Sequence, residues 1–523
     1  MTAGQAVEAM ACNRLTSPAP LAHVQDWARD WAAPEIPGVP AVALNDDKPG
    51  RTAVRSSRTW RRSPRAPRSA RSPGFGIGIS RLHWDMTGFS PHSTCDQADE
   101  DYPAPRCGHP RDRREDLPQI QAGIAAAGDG GIPACHRACD GGAAEVSQVS
   151  GAMTALKKIA GTRTFLLIGD SKLISCDNVA AAGGQGCTFP APAPRTHVKA
   201  AGLAACDLAP ATGAEHVAGR DPGKRPDQTG RRHVPEDTAP FEIRDSKRKS
   251  DPSIVVRRVF VRPTAPAGAA AASRARKLTR ASDDLNRLVS GLGGRLYPGE
   301  QAATGRLKQI STARKAGPCP RHTTGTIQLS STAAATGTTK AAGVTGTAGA
   351  GSRHGSGSGG PGKPALTWWS GQDATDAEAA TDGWYALTAN LGTQVAPAEV
   401  LLRHQGHEAA ERRYGNLNGP LAAAPLFLHS NRKIAALITA ISLALLVFCL
   451  IEREARRNLA PQTKIDGPHN RQPARPAGRL ILTTLAGLRL IPATGTTPAQ
   501  ITRPSPVQAR LLELPGVDPT RPH

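Results

Sequence analysis

Residues 164–172 read TFLLIGDSK, from Thr164 to Lys172. Four consecutive large apolar residues, Phe165, Leu166, Leu167 and Ile168, stop at Gly169 and a carboxylate, Asp170. An apolar run this short, bounded by glycine, predicts a strand buried on both faces. Asp170 then stands at its carboxyl end, the edge where open α/β sheets collect ligands and metals. An aspartate in this position can equally do no more than start a turn.

The stretch ISRLHWDMT, Ile79 to Thr87, alternates Ile79, Arg81, His83, Asp85 and Thr87 against Ser80, Leu82, Trp84 and Met86. That is the period of a strand with one more polar face. If this strand neighbours the first, Asp85 lies beside Asp170. Two adjacent carboxylates repel each other unless a cation holds them, so the pair points to a divalent metal. Between the two stretches, Gln119 to Gly128 and Ile132 to Arg137 read as further strands, joined by turn residues Gly128, Asp129, Gly130 and Gly131. Glu145 to Ala160 sets Val146, Val149, Met153, Leu156 and Ile159 on one helical face, with Gly161 as its cap. Three strands, a helix and a buried strand, with carboxylates on the first and after the fourth, are the order of an RNase H-like core. The expected fold class is therefore α/β: an RNase H-like mixed sheet with flanking helices.

The 523 residues allow two to four domains, but only 39% are hydrophobic and 4% aromatic, with 54 Gly and 45 Pro. Much of the chain is thus expected to pack poorly. A net charge of +22 favours a polyanionic partner, nucleic acid before membrane. A GC-rich genome that inflates Arg, Ala, Gly and Pro would produce the same balance. Ten cysteines without a CxxC pair, and no secretory signal, argue against a disulfide framework. Cys135, His136 and Cys139 cluster, but lack the second ligand pair that a zinc site needs.

Along the chain, residues 1–50 form a helical N-terminal segment, with Leu21, Val24, Trp27 and Trp31 at helical spacing, either capping the core or contacting DNA. Residues 51–74 are an arginine-rich basic linker, or a stretch translated out of its ancestral frame. Residues 75–190 hold the first part of the core, and 191–397 a long insertion. Within the insertion, Ser253 to Arg262 is strand-like, Ala269 to Leu292 is an amphipathic helix with Arg274, Arg276, Lys277 and Arg280 on its solvated side, and 330–362 is disordered. Order returns at Trp384 to Leu391. Residues 398–460 complete the core, and 461–523 are a C-terminal tail.

A third carboxylate is expected after the insertion. His404, His407, Glu411 and Asn418 are spaced by three, four and seven, which on one helix sets all four to roughly one side, with Glu411 as the acid. The alternative is a glutamate that pairs with Arg or Lys one turn away. With LHWDMT, GHPRDRREDLPQIQ, FLLIGDSKLIS, ATDGWYAL and ERRYGNLNGPL in this order, the chain resembles the DDE transposases of bacterial insertion sequences, in the branch with a long insertion before the catalytic Glu. The resemblance implies Asp85, Asp170 and Glu411 as the catalytic and metal-binding triad. It also implies two Mg²⁺ ions, replaceable by Mn²⁺, that serve cleavage and strand transfer at the element's terminal inverted repeats. Double-stranded DNA at those repeats and at the target would be the partner, with a homodimer in the synaptic complex and a cytoplasmic, nucleoid-associated location. Arg412, Arg413, His404, His407 and Asn418 are candidate DNA contacts.

Relatives carry Tyr, Arg, Glu and Lys where this chain has His404, His407, Glu411 and Asn418, and the missing Lys removes a cation expected at the DNA end. With the composition shifts at 51–74 and 330–362, this looks like a decaying copy. The alternatives are a catalytically dead, basic DNA-binding remnant and a single-span membrane protein. The last rests on Ile434 to Ile451, an uncharged run of about 27 Å as a helix, at the lower edge for a span. A helix buried against the sheet fits the resemblance better.

Overall fold

The structure, a computed structural model, describes residues 1–35, 38–45, 75–92, 99–108, 114–194, 372–405, 408–421, 428–460, 463–465, 475–496 and 498–518, with shorter pieces between 198 and 370. The chain divides into two units. The first comprises Met1–Ala193, Ala239–Arg258 and Leu387–His523, and the second Pro194–Thr238 and Val259–Ala386. The basic stretch 51–74 lies outside the described residues.

In the first unit, helix α1 (Ala3–Thr16) opens on a capping box: Thr2 Oγ1 accepts from the Gln5 amide at 3.2 Å, and Gln5 Oε1 accepts from the Thr2 amide at 2.9 Å. A 3₁₀ turn and α2 (Val24–Asp30) follow, burying Leu21, Val24 and Trp27 as their spacing predicts.

The central sheet contains β1 (Arg81–Phe89), β2 (Ile120–Ala127), β3 (Pro133–Cys139), β4 (Phe165–Ile168) and β5 (Cys187–Thr188), in the order β3-β2-β1-β4-β5. β2 is antiparallel to both β1 and β3, whereas β4 is parallel to both β1 and β5, so the sheet is mixed. The β2–β3 turn takes Gly130 and Gly131 at φ 74° and 63°, a left-handed conformation that glycine adopts without steric cost. On β2, a Cβ at Gly123 would lie 2.2 Å from the Trp84 ring, so only glycine lets that indole lie against the strand. The face of β1 expected to be more polar is largely covered, with His83 and Thr87 buried.

Helix α3 (Glu145–Ala160) has the predicted bounds, buries Val149, Met153, Leu156 and Ile159, and ends at Gly161 with φ 67°. β4 is buried at all four positions, as the apolar run requires. Beyond it, α4 (Cys176–Gly184) is capped by Ser175, and β6 (Pro190–Pro192) pairs antiparallel with the strand that contains Leu387 to Ala389.

After the insertion come α5 (Pro397–His404), α6 (Glu408–Asn418) and α7 (Asn431–Arg457). α7 has the length and composition to cross a membrane, yet 78% of its apolar window is buried inside the fold. It packs on β3, α1 and α6, with Ile434, Leu437, Ile441, Leu445 and Phe448 in the core. The C-terminal residues are not a plain tail. α8 (Gly478–Leu485) and α9 (Pro506–Glu513) build a small core of Ile481, Leu511 and Leu514 with Ala455 and Leu459.

The second unit holds a three-stranded antiparallel sheet in which Thr323–Leu329 and His354–Ser358 flank Pro364–Ser370. Within the stretch 330–362, expected to be disordered, the described residues are His354–Ser358. Backbone pairing, to which glycine and serine contribute as well as any residue, makes them a strand; 330–353 and 359–363 lie outside the described residues. Its helix Gly268–Ser290 exposes Arg276 and Arg280, but not Arg274. That guanidinium forms a bidentate pair with Asp382, at 2.7 and 2.6 Å.

Candidate active site

The parallel ladder of β1 and β4 runs from Arg81 opposite Leu166 to His83 opposite Ile168. Asp85 and Asp170 each follow the last of these pairs by two residues, so the same step places both just beyond it. The backbones stay adjacent there, since a Cβ on Gly169 would lie 3.5 Å from the Trp84 carbonyl oxygen. Both aspartates are half-buried. Asp85 Oδ1 accepts from the Met86 amide at 2.8 Å, and Asp170 Oδ1 from the Lys172 amide at 2.9 Å. Asp170 thus does start a turn, capping the short 3₁₀ segment Ser171–Leu173, and the turn is what holds its carboxylate at the strand end. Lys172 itself pairs with Glu145 at 2.8 Å, tying that turn to the first residue of α3.

Helix α6, which carries Glu411, packs on β1, β2 and α7. Its anchor is Tyr414, a buried side chain that the sequence reading did not weigh. The Tyr414 hydroxyl donates to the Asp85 carbonyl oxygen and accepts from the Ile124 amide at 3.1 Å. Asp85 and Ile124 face each other across β1 and β2, so the hydroxyl grips the sheet at the aspartate's own backbone. Glu411 is three residues ahead on the same helix, about one turn away. Its side chain, and His407 altogether, lie outside the described residues. The only signal for Tyr414 was its place in ERRYGN, where an aromatic among polar residues faces inward.

The structure departs at two positions from the arrangement expected of the candidate DNA contacts. His404 does not share a helix with Glu411 and Asn418: α5 ends at His404, and Gln405 adopts extended backbone at ψ 154°, just before Gly406. The three-four-seven stripe is therefore not one helical face. Arg413 is buried, and donates to the carbonyl oxygens of Gly130 and Gly131 in the β2–β3 turn while pairing with Glu452 at 3.3 Å. It anchors α6 to the hairpin and is not presented to a ligand. Arg412 and Asn418 are exposed.

As potential ligands, Asp85 and Asp170 supply hard oxygen donors from neighbouring strands, one within β1 and one just beyond β4, a donor set suited to Mg²⁺ or Mn²⁺. Among the described residues no three His, Cys, Asp or Glu side chains cluster as a metal site, a set that the Glu411 side chain does not enter. At the other cluster, burial pushes the Cys135 thiol up to about 11 and the His136 imidazole down to about 4. Both groups are thus held neutral, and Cys139 donates to Gln148 Oε1 at 3.2 Å.

No model of a known protein family matches the chain, and no curated protein matches it.

Proposed function

We propose that the chain is a DDE-type transposase built on an RNase H-like core, acting on the duplex ends of an insertion sequence. One observation carries this reading: β1 and β4 run parallel and adjacent, so Asp85 within β1 and Asp170 just beyond β4 lie at the same step along neighbouring strands, while Tyr414 ties the Glu411 helix to Asp85. The strand order β3-β2-β1-β4-β5, with α3 between β3 and β4, agrees with it.

Asp85, Asp170 and Glu411 would hold the Mg²⁺ ions. Bound there, Mg²⁺ supplies an activated oxygen nucleophile and neutralises charge on the leaving oxygen. The chain's own contribution is placement. The Met86 and Lys172 amides orient the two aspartates, and Tyr414 fixes the helix register that sets Glu411's distance from them. Arg412 and Asn418, on the same helix as Glu411, are exposed and would contact a DNA strand. A cytoplasmic, nucleoid-associated protein that pairs as a dimer in synapsis follows from the same reading.

The test is Mg²⁺-dependent nicking of duplex DNA that carries the element's ends, comparing the unaltered chain with Asp170→Ala. Products for the unaltered chain, reduced by about 10³-fold or more in the variant, are expected. Equal, background-level products would favour a second reading, a DNA-binding remnant without cleavage. The neutral, exposed Asn418 at the position where relatives carry Lys favours that reading.

A further inference from the structure

We propose that an arginine-lined cavity at the C-terminal end of α7 binds the phosphodiester backbone of duplex DNA. The cavity has a volume of about 390 Å³, and Asp129, Glu452, Arg453, Arg456, Arg457 and Arg475 line it. That size lies within the range of ligand pockets, about 300–1,000 Å³, and is more than a lone phosphate fills.

Its acids are already engaged. Glu452 accepts from the Gly478 amide at 2.9 Å and pairs with Arg456 at 2.8 Å and Arg413 at 3.3 Å. Asp129 is held by Arg453 at 2.5 Å, and Arg453 also reaches Glu454 at 2.5 Å. Arg457 has only a loose approach to Glu454 at 4.0 Å, and its side chain is 59% exposed. Arg475 is exposed and, among the described residues, has neither a hydrogen bond nor an ion pair; exposed Arg412 on α6 is in the same state. Among the described residues, this positive charge is therefore not fully compensated. Burial is the main cause that lowers the proton affinity of Arg456; Glu452 opposes it, and the charges of Arg413, Arg412 and Arg475 add to it.

Arginines in the last turn of a helix can simply offset its dipole, which accounts for Arg456 and Arg457. It does not account for Arg475, which comes from the separate segment leading into α8. Guanidiniums from different segments around one opening suit a polyanion that passes several phosphates across it. No aromatic side chain lines the cavity, so the stacking platforms that hold single strands are missing among the described residues, and a duplex backbone is the better fit. The inference concerns binding alone; it rests on the proposed reading for the choice of duplex DNA as the polyanion, not on cleavage.

The experiment measures fluorescence anisotropy of a labelled duplex against the full chain over a salt series. R457Q/R475Q is compared with R489Q/R503Q, a pair of exposed arginines elsewhere with the same charge loss. The cavity pair should lower the slope of log affinity against log salt by about 2, and affinity by about tenfold or more at low salt. The control pair should do neither. Anisotropy is read without Mg²⁺, so cleavage does not enter it and failed cleavage and failed binding are told apart. Equal effects of the two arginine pairs, or no effect of the first, would overturn the proposal. So would loss of pyrophosphate binding in R457Q/R475Q, measured in parallel by calorimetry, with duplex binding unchanged, which would mark a free-anion site only. Should the double variant melt early, R475Q alone, which breaks no contact among the described residues, should give a slope change of about 1.

Discussion

The two ends of the central sheet use the same side-chain types for opposite purposes. At the hairpin end, Asp129, Glu452, Arg413 and Arg453 lock onto one another and onto the Gly130 and Gly131 carbonyls, joining β2, β3, α6 and α7. Asp85, within β1, and Asp170, just beyond the carboxyl end of β4, accept from the Met86 and Lys172 amides and remain half-buried. Charge at the first end completes the fold. At the second, the Met86 and Lys172 amides orient half-buried carboxylates, which is what the proposed catalytic role asks of them.

The contrast is broken most readily at the hairpin end. Glu452→Ala would leave the buried Arg413 and the Arg456 guanidinium without their shared acid. The expected cost is about 3–5 kcal/mol, read from the denaturant midpoint. Next in size is Tyr414→Phe, which removes one hydroxyl that both donates and accepts. A loss of about 1–2 kcal/mol is expected. If the tyrosine sets Glu411's register, nicking should fall much further than that loss of stability explains.

A smaller effect separates the two ends by acid. The hydrogen bond from Arg453 holds the Asp129 carboxyl below its ordinary value of 3.8. The folded state thus binds that proton more weakly than the unfolded chain. The associated stability is present above about pH 4 and lost as pH falls through the depressed folded value. Asp129→Asn should flatten that part of an acid titration of stability, followed by circular dichroism. Smallest of all is the change in stability for Asp170→Ala, within about 1 kcal/mol, since only one turn cap is lost. A large destabilisation would mean that Asp170 is structural and would erase the distinction between the two ends.

These differences in role explain what the sequence made legible. β4 and α3 were readable to within a residue, because an apolar run and a one-sided stripe are burial patterns in themselves. The 14-residue helix α1 has no such stripe; it buries Ala6 and Ala9 beside Met10 against α7, and alanine contrasts little with its neighbours. The His404 to Asn418 spacing suggested one helix, because periodicity does not register a break at Gln405. Arg413 could not be told from Arg412, because neighbouring arginines differ only in what the tertiary fold puts opposite them. The same holds for Arg274, whose partner Asp382 lies far along the chain.

Helix α7 covers strands made long before it. Whenever the polypeptide emerges from the ribosome, β3 and α1 must wait for the whole insertion to be translated before their greasy side is shielded. The nascent first half is thus a natural client for chaperones, and a truncation anywhere upstream of Asn431 should yield an insoluble product, whatever becomes of the carboxylates.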